Sequence, residues 1–268
     1  MKTNTALTIG VILLAALGVA AALAPALAPY SATAQNLAYD LAPSSADHLL
    51  GTDKLGRDVL SRIVYGSRIS LGVGATIVAV SLAIGLLIGA LCGYFGGRTD
   101  LLLMRLVDVL MAFPGILLAI AFTAVLGPGL DHVVIALALI GWTGYARLVR
   151  GEILSLREKD FVHSVRALGG SPLRIIARHI VPNLLPALLI QATFGMAAAI
   201  IAEGSLSFLG LGAEPPTPSW GAMLNEGRQF ILVAPHLTAY PGLAITITVL
   251  ALNLAGDGLR DRLEKRGK

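Results

Sequence analysis

The sequence predicts an all-α integral membrane protein, and three observations lead to that fold class. Hydrophobic residues make up 56% of the 268 residues and only 13% are charged, whereas a soluble domain carries about 25% charged residues. The mean hydropathy is +0.78. Apolar runs of the roughly 20 residues that a membrane span needs recur along the chain, with polar segments between them. The simplest arrangement is one bundle of six transmembrane helices.

The first apolar run, residues 6–27, predicts an N-terminal transmembrane helix within residues 1–28. Its end, ALA at 26–28, resembles a signal-peptidase site, so a cleaved leader and an uncleaved first span both fit. In either case the chain emerges outside. Residues 29–67 then form an extracytoplasmic loop that is turn-rich at first and helical toward its end. Acidic and basic side chains balance in this loop, so it carries no strong orientation signal.

A five-helix core is predicted for residues 68–257. Its first span covers residues 69–94, where Gly85, Gly89 and Gly93 share one helix face. Glycines at this spacing permit close backbone contact with another span. We therefore expect this face to pack against a neighbouring helix.

The next predicted span, residues 101–126, should kink at Pro114, because proline lacks the N–H that continues a helix. Arg105 and Asp108 stand three residues apart near its start, and this spacing lets them pair on one helix face. Ionisable residues inside a membrane are functional candidates by default. Asp108 is therefore interpreted either as half of a structural pair or as a functional residue.

Two further spans are predicted at residues 133–149 and 184–211. The second contains Glu203, which is either a functional acid or a brace for the end of its helix. The segment between these spans begins within a basic stretch, residues 147–178, and positive charge marks the inside of a membrane protein. This places the polar segment in the cytoplasm.

The second extracytoplasmic loop, residues 213–236, begins with three prolines within 215–218 that stiffen its start. Trp220 follows and is interpreted as an anchor at the membrane interface. Residues 237–254 form the last span, and a basic cytoplasmic tail, residues 258–268, follows it. Counting spans puts this tail on the same side as the earlier basic segment, in agreement with the charge rule.

The longest polar interruption in the second half, residues 159–182, predicts two short amphipathic helices around a hinge. Phe161, Val165 and Leu168 fall at i, i+4 and i+7 on the first helix. The Gly-Gly pair at 169–170 ends that helix, since glycine suits a C-terminal cap.

The second helix of this element carries its own apolar stripe, at i, i+3, i+4 and i+7. The stripe consists of Leu173, Ile176, Ala177 and Ile180. Arg174 lies on the opposite, wet side, and Pro182 should stop the helix. An element this short cannot span a bilayer, so it lies on the lipid surface, in the groove of a partner protein, or at the cytoplasmic surface without a partner.

Motifs of catalytic and metal chemistry are missing from the sequence. It contains no G-x-x-x-x-G-K-[ST] phosphate loop, no H-E-x-x-H zinc helix and no G-x-S-x-G nucleophile turn. The single cysteine, Cys92, excludes a disulfide framework and a multi-cysteine metal site, and the five histidines are scattered. The net charge of +4 is spread between apolar runs, so nucleic-acid binding is not predicted. We expect the chain to hold no cofactor or metal of its own.

Several motifs occur in the order typical of one transporter family. HLLGTDKLGRDVLSRIVYGSRISL follows the first span, and LSFLGLG, PPTPSWGAML and PGLAITITVLALNLAGDGLRD follow the polar element. These stretches resemble the inner-membrane permease subunits of ABC importers, specifically the dipeptide/oligopeptide/nickel permease family. The resemblance covers residues 48–261. One motif departs from it: the family's loop begins Glu-Ala-Ala, whereas this chain has His163, Ser164 and Val165.

The resemblance implies the type I ABC importer permease fold, located in the bacterial cytoplasmic membrane and surrounded by lipid. It implies import of di- or oligopeptides together with a second homologous permease, two cytoplasmic ATPase subunits that bind ATP and Mg, and an extracytoplasmic binding protein. Residues 155–182 would then be the loop that couples to the ATPase. The coupling candidates are Phe161, Val165, Leu168, Gly169, Gly170, Leu173, Arg174, Ile176, Ala177, Ile180 and Pro182.

Two other sets of candidate residues are predicted. Asp108 and Glu203 are candidates for the translocation path or its gate. Pro216, Pro218 and Trp220 are candidates for docking of the binding protein.

Three alternatives stay open at this stage. The same machine could carry nickel or another small solute, because selectivity can reside in the binding protein. A stand-alone secondary transporter or channel would need polar residues at a midplane site and inverted repeats, and neither is evident. An intramembrane enzyme would need the catalytic motifs that are missing.

Overall fold

Residues 5–264, which the computed structural model describes, form helices and connecting turns without a β-strand among them. The helices are α1 (Thr5–Ala22), α2 (Ala24–Leu27), α3 (Val59–Phe95), α4 (Gly97–Met111), α5 (Gly115–Leu126), α6 (Leu130–Leu156), α7 (Asp160–Ala167), α8 (Pro172–Ile175), α9 (Val181–Phe208), α10 (Trp220–Gly227) and α11 (His236–Glu264). The last four basic-tail residues, 265–268, lie outside the described part of the chain. The all-α prediction is confirmed for the described residues.

Five helical runs are long and apolar enough to cross a membrane, and one bent pair can supply a sixth crossing. That pair is α4 and α5, which meet at an angle of 87°. The predicted kink at Pro114 is therefore a complete break, with Pro114 as the N-cap of α5. Proline lacks an N–H and also disfavours helical geometry in the residue before it, so α4 ends before it reaches Pro114.

The glycine face of α3 packs on α6, as the sequence predicts. An ideal Cβ on Gly89 would lie 2.6 Å from the carbonyl oxygen of Ala146, and one on Gly93 would lie 2.9 Å from the Cβ of Ile153. Gly85 faces Tyr145 in the same way. Residue numbers rise together along the two helices, so α3 and α6 run parallel. The α4–α5 pair must therefore return the chain across the membrane, which makes six crossings.

Two other helix pairs, α1 with α11 and α3 with α9, pack antiparallel. Gly10 of α1 lies against Ala255 of α11, and Gly74 of α3 lies against Ile200 of α9. Because only small residues allow such close contact between spans, these glycines fix which helices are neighbours. In α1, Gly10 is the one buried residue, so the helix lies at the edge of the bundle.

The outer end of the bundle is closed by the first extracytoplasmic loop. Helix α3 begins at Val59, within the residues 29–67 assigned to that loop, and Asp58 caps it by accepting the Ser61 N–H at 2.7 Å. Beneath the loop, Trp220 is 1% exposed and donates its Nε1–H to the carbonyl of Ile63 at 3.0 Å. The prediction that Trp220 anchors the protein at the lipid interface is therefore wrong. A buried indole needs a hydrogen-bond acceptor, and the second turn of α3 provides one.

Candidate functional site

The predicted cytoplasmic hinge is present between α7 and α8. Gly169 has φ +80°, the left-handed conformation that glycine adopts without strain. Its N–H donates to the Arg166 carbonyl at 3.0 Å, and the Gly170 N–H donates to the Val165 carbonyl at 2.9 Å. These two bonds form a Schellman motif, the usual glycine-dependent end of a helix. The hinge is thus a defined turn.

Pro182 does not stop the second helix, contrary to the prediction. Helix α8 continues through a π-helical turn, Ile176–Ile180, into α9, and the whole run from Pro172 to Phe208 is helical. Pro182 follows this π turn and lies in the first turn of α9. The π turn shifts the bonding by one residue, since the Val181 N–H donates to the Ile176 carbonyl. The hinge is therefore continuous with a membrane span.

The apolar side chains of this region divide into two groups. Val162, Ile175 and Ile180 are fully buried, and Val165 and Ile176 pack partly against the same core. That core includes residues of α6 and α9: Val149, Ile153, Leu184 and Leu188. The predicted stripe containing Ile176 and Ile180 therefore faces the protein's own interior. This packing against α6 and α9 holds the two short helices of the hinge in a fixed orientation.

The second group stays exposed and forms what we call the cytoplasmic knob: Phe161, Leu168 and Leu173. Leu168 is 88% exposed, Leu173 76% and Phe161 39%. Leu168 and Leu173 stand on either side of the glycine turn. Exposed Arg166, Arg174 and Arg178 lie close in sequence, and Ala177 is also exposed. His163, which replaces the family's glutamate, is 52% exposed and 4.0 Å from Glu158.

Asp108 pairs with a different partner from the one predicted. Its Oδ1 accepts from Nη2 of Arg147 on α6 at 2.8 Å, and no pair with Arg105 forms between these described side chains. Asp100 makes a second bridge from α4 to α6, with Arg150 Nη2 at 2.7 Å. The α4 helix is broken off from α5, so its side chains meet α6 instead. Asp108 is thus half of a half-exposed interhelical pair.

Glu203 occupies a buried position near the outer end of α9. It is 1% exposed, and its Oε1 accepts from the Ser207 hydroxyl at 2.7 Å. The same hydroxyl accepts the Ala213 N–H at 3.2 Å, so the acid is linked to the turn that follows the helix. This geometry supports the interpretation that Glu203 braces the helix end.

Of the predicted docking residues, only Pro216 is accessible. Pro218 and Trp220 are buried beneath the outer loop. Neither can touch a protein that lands on the closed outer surface. The rigid chain around 215–218 instead seats the tryptophan in its core.

A buried ion cluster at the outer end was not predicted. Asp53 Oδ2 accepts from Arg57 Nε at 2.6 Å and also from Arg62, while Glu226 Oε2 accepts from Arg57 at 2.6 Å and Arg62 at 2.8 Å. Both arginines are at most 2% exposed. The alternating charges of TDKLGRDVLSR were the available signal, but Glu226 lies 164 residues from Arg62, so the sequence could not show the pairing.

The cluster changes the acidity of Asp53. Burial alone raises the pKa of this carboxyl, but the guanidinium groups of Arg62 and Arg57 and the backbone N–H groups of Leu55 and Arg57 outweigh it, so the pKa is lowered from its ordinary value. Asp53 is therefore charged over the whole physiological pH range. The first outer loop is held to α10 by fixed charges.

No group of three or more metal-ligating side chains occurs among residues 5–263. The described residues instead form a broken-span helical bundle with a cytoplasmic knob and a closed outer cap. These features define a membrane-embedded transport component.

The chain belongs to the family described as binding-protein-dependent transport system inner membrane component, whose profile matches residues 85–268. It is 43% identical to the dipeptide transport system permease protein DppC of Alkalihalophilus pseudofirmus over 268 residues, covering 100% of this chain and 88% of that protein. It is 50% identical to the glutathione transport system permease protein GsiD of Pectobacterium atrosepticum over 226 residues, covering 84% and 75%. The resemblance inferred from the motifs is confirmed.

The fold is shared with solved structures. The MetNI methionine ABC transporter, in inward-facing conformations, aligns with a TM-score of 0.62 at 19% identity, covering 74% of this chain and 94% of the matched chain. A second crystal form of it gives a TM-score of 0.60 at 20% identity. The predicted permease fold is confirmed by this likeness.

Proposed function

We propose that this chain is the permease subunit of an ATP-driven importer of di- and oligopeptides. The observation that carries the proposal is the cytoplasmic knob, an exposed apolar surface on a hinge that is continuous with α9 and packed on α6. Full-length similarity to a dipeptide permease supplies the substrate class. Bond chemistry is not part of the role, since ATP would be hydrolysed by the partner subunits.

In this proposal the knob enters a groove on a cytoplasmic ATPase subunit. Burying one Leu-sized side chain is worth about 1.5–3 kcal/mol, and helix-in-groove recognition relies on such anchors. The buried group, Val162, Ile175 and Ile180, would transmit the motion of the groove to the spans. A second homologous permease, two ATPase subunits and an extracytoplasmic binding protein complete the assembly.

A glutathione-type substrate is the second candidate, because one relative at 50% identity is a glutathione permease. Glutathione is itself a tripeptide, so it falls within the same chemical class. Import of nickel or another small solute by the same type of transporter is the third candidate function.

The test is reconstitution of the full complex in proteoliposomes with its binding protein outside and ATP inside. We expect ATP-dependent uptake of labelled dialanine, and competition by glutathione tells the two peptide readings apart. A complex that hydrolyses ATP and takes up nickel but neither peptide would overturn the peptide assignment. A chain that purifies without any ATPase and still transports would overturn the importer assignment.

A further inference from the structure

A cavity of ≈ 270 Å³ lies within the membrane part of the bundle. It is placed about halfway along α3, α6 and α9 and reaches the start of α5. Small residues form much of its wall, among them Gly115, Gly141, Gly195 and Ala198. None of its lining residues is charged, and the two acids predicted to act along the path lie elsewhere.

Two buried hydroxyl groups at this cavity lack a good hydrogen-bond partner. Ser81 is 2% exposed and Tyr145 is 4% exposed. The Ser81 hydroxyl is 3.5 Å from the carbonyl of Ala138, and the Tyr145 hydroxyl is 3.5 Å from the carbonyl of Gln191. Hydroxyl hydrogen bonds normally span about 2.5–3.0 Å. In a membrane interior such groups are costly to leave unpaired, so the site is suited to a polar occupant.

The lining also restricts what that occupant can be. A peptide amide carries one donor and one acceptor, which matches hydroxyl partners that can do either. Ammonium or carboxylate groups would find no opposite charge in the lining and would lose their hydration there. The cavity is open on one side, so the charged ends of a short peptide must lie toward that opening while its amide lies inside. The cavity is slightly smaller than the roughly 300–1,000 Å³ of sites for drug-sized ligands. It therefore fits the amide and one side chain of a short peptide.

We propose that this cavity binds the uncharged amide portion of the transported peptide and limits the size of its side chains. The proposal rests on the proposed function of peptide import. Ser81 and Tyr145 bind the amide, while exposed Ala198 leaves space for a side chain. The site adjoins the α4–α5 break at Gly115, and α4 is tied to α6 by two ion pairs. Movement of α6 can thus alter the cavity.

The first test measures occupancy in the complete complex. A single cysteine replaces Ala198 in a Cys92→Ala background, and its reaction with a small maleimide is followed with and without dialanine. We expect saturable protection, and adding Tyr145→Phe or Ser81→Ala should raise the half-protecting dialanine concentration roughly two- to tenfold, the value of one hydrogen bond. Unchanged protection in both hydroxyl variants would mean that only water satisfies these groups, which overturns the proposal.

The matched control is a cysteine at Leu189. It stands nine residues before Ala198 on α9, which places it on the opposite face at 3.6 residues per turn, and it is 55% exposed. Dialanine should leave its labelling rate unchanged. Equal protection at both positions would indicate a global conformational change and would contradict a local site.

The second test measures selectivity. Ala198→Leu should lower uptake of diphenylalanine relative to diglycine by roughly fivefold or more, since about 1.4 kcal/mol corresponds to a tenfold change, while Leu189→Phe should leave the ratio unchanged. An unchanged ratio for Ala198→Leu, in a complex of normal yield, contradicts the size limit. If Ala198→Leu fails to assemble, the labelling test decides whether the cavity binds peptide.

A wild-type complex that imports no peptide refutes the proposed function itself. Normal peptide import by the wild type, with unchanged protection and selectivity in the variants, refutes only the binding site proposed here.

Discussion

Replacing both leucines of the cytoplasmic knob with alanine separates docking from folding. Leu168 and Leu173 are 88% and 76% exposed, so Leu168→Ala/Leu173→Ala removes little from the folded subunit. In a partner's groove each leucine would lose about three carbon groups of burial at about 0.8 kcal/mol each. Weighted by exposure, the two sites together contribute about 3–4 kcal/mol. Affinity for the ATPase should therefore fall by a factor on the order of 100 to 1,000.

Ile180→Ala is the matched opposite case. Ile180 is fully buried in the subunit's own core, so the change should cost about 2–5 kcal/mol of subunit stability. Arg174→Ala, at an exposed charge, should change either quantity by less than about 1 kcal/mol.

The assay is titration of purified ATPase onto the permease in nanodiscs, with thermal unfolding measured in parallel. The double leucine variant should lose binding and keep its unfolding temperature, whereas Ile180→Ala should lose stability first. If the double variant retains ATPase affinity within about threefold and still imports peptide, the knob is not the docking surface. The division into buried and exposed groups would then have no functional meaning.

Three further predictions test the bundle and its outer cap. Gly89→Leu should prevent assembly, because its first side-chain carbon would lie 2.6 Å from a backbone oxygen of α6. Gly72→Leu on the same helix, where nothing lies within 4 Å, should purify normally. Equal yields of purified complex from the two variants would refute the close packing. Glu226→Gln should lower the free energy of unfolding by about 1–3 kcal/mol, below the range for a fully buried pair because the acid is partly exposed, and exposed Glu214→Gln should have almost no effect in the same thermal measurement. The pKa of Asp53 is lowered in the folded state. Its stabilising contribution is therefore fully present above its unfolded pKa of about 3.9 and is lost as pH falls through the lower folded value. The prediction is contradicted if the unfolding temperature of the wild-type protein already declines between pH 7 and 5 and this decline disappears in Asp53→Asn.

Local patterns predicted the features that depend on neighbouring residues. The glycine spacing of α3 predicted that one helix face packs closely on another span, although it did not show that this span is α6. The Gly-Gly pair at 169–170 identified the end of α7, because the Schellman geometry needs a left-handed residue there. Six crossings were predicted from apolar run lengths and from the side on which basic residues fall.

Features that depend on tertiary contacts were not predicted. Periodicity placed Ile176 and Ile180 on one stripe with Leu173, but it cannot show which neighbour covers a stripe, and α6 and α9 cover the first two. The sequence predicts a helix end at Pro182, because residue spacing does not reveal the π turn through which the helix continues. Trp220 matched an interfacial anchor in composition and position, yet the outer loop folds over it. Such burial is decided by chain segments far away in sequence.

The continuous helical run from Pro172 to Phe208, with a π turn at Ile176–Ile180 and Pro186 inside it, joins the cytoplasmic hinge to the outer end of the protein. Its 37 residues at about 1.5 Å each give a rod of about 55 Å. A tilt of about 5° around its centre would displace the two tips by about 2 Å in opposite directions. If the π turn and Pro186 do not bend during such a tilt, displacement of the inner tip toward a partner moves the Glu203 end in the opposite direction. The stiffness of the helix at these two points therefore sets how closely the motions of the two faces are coupled.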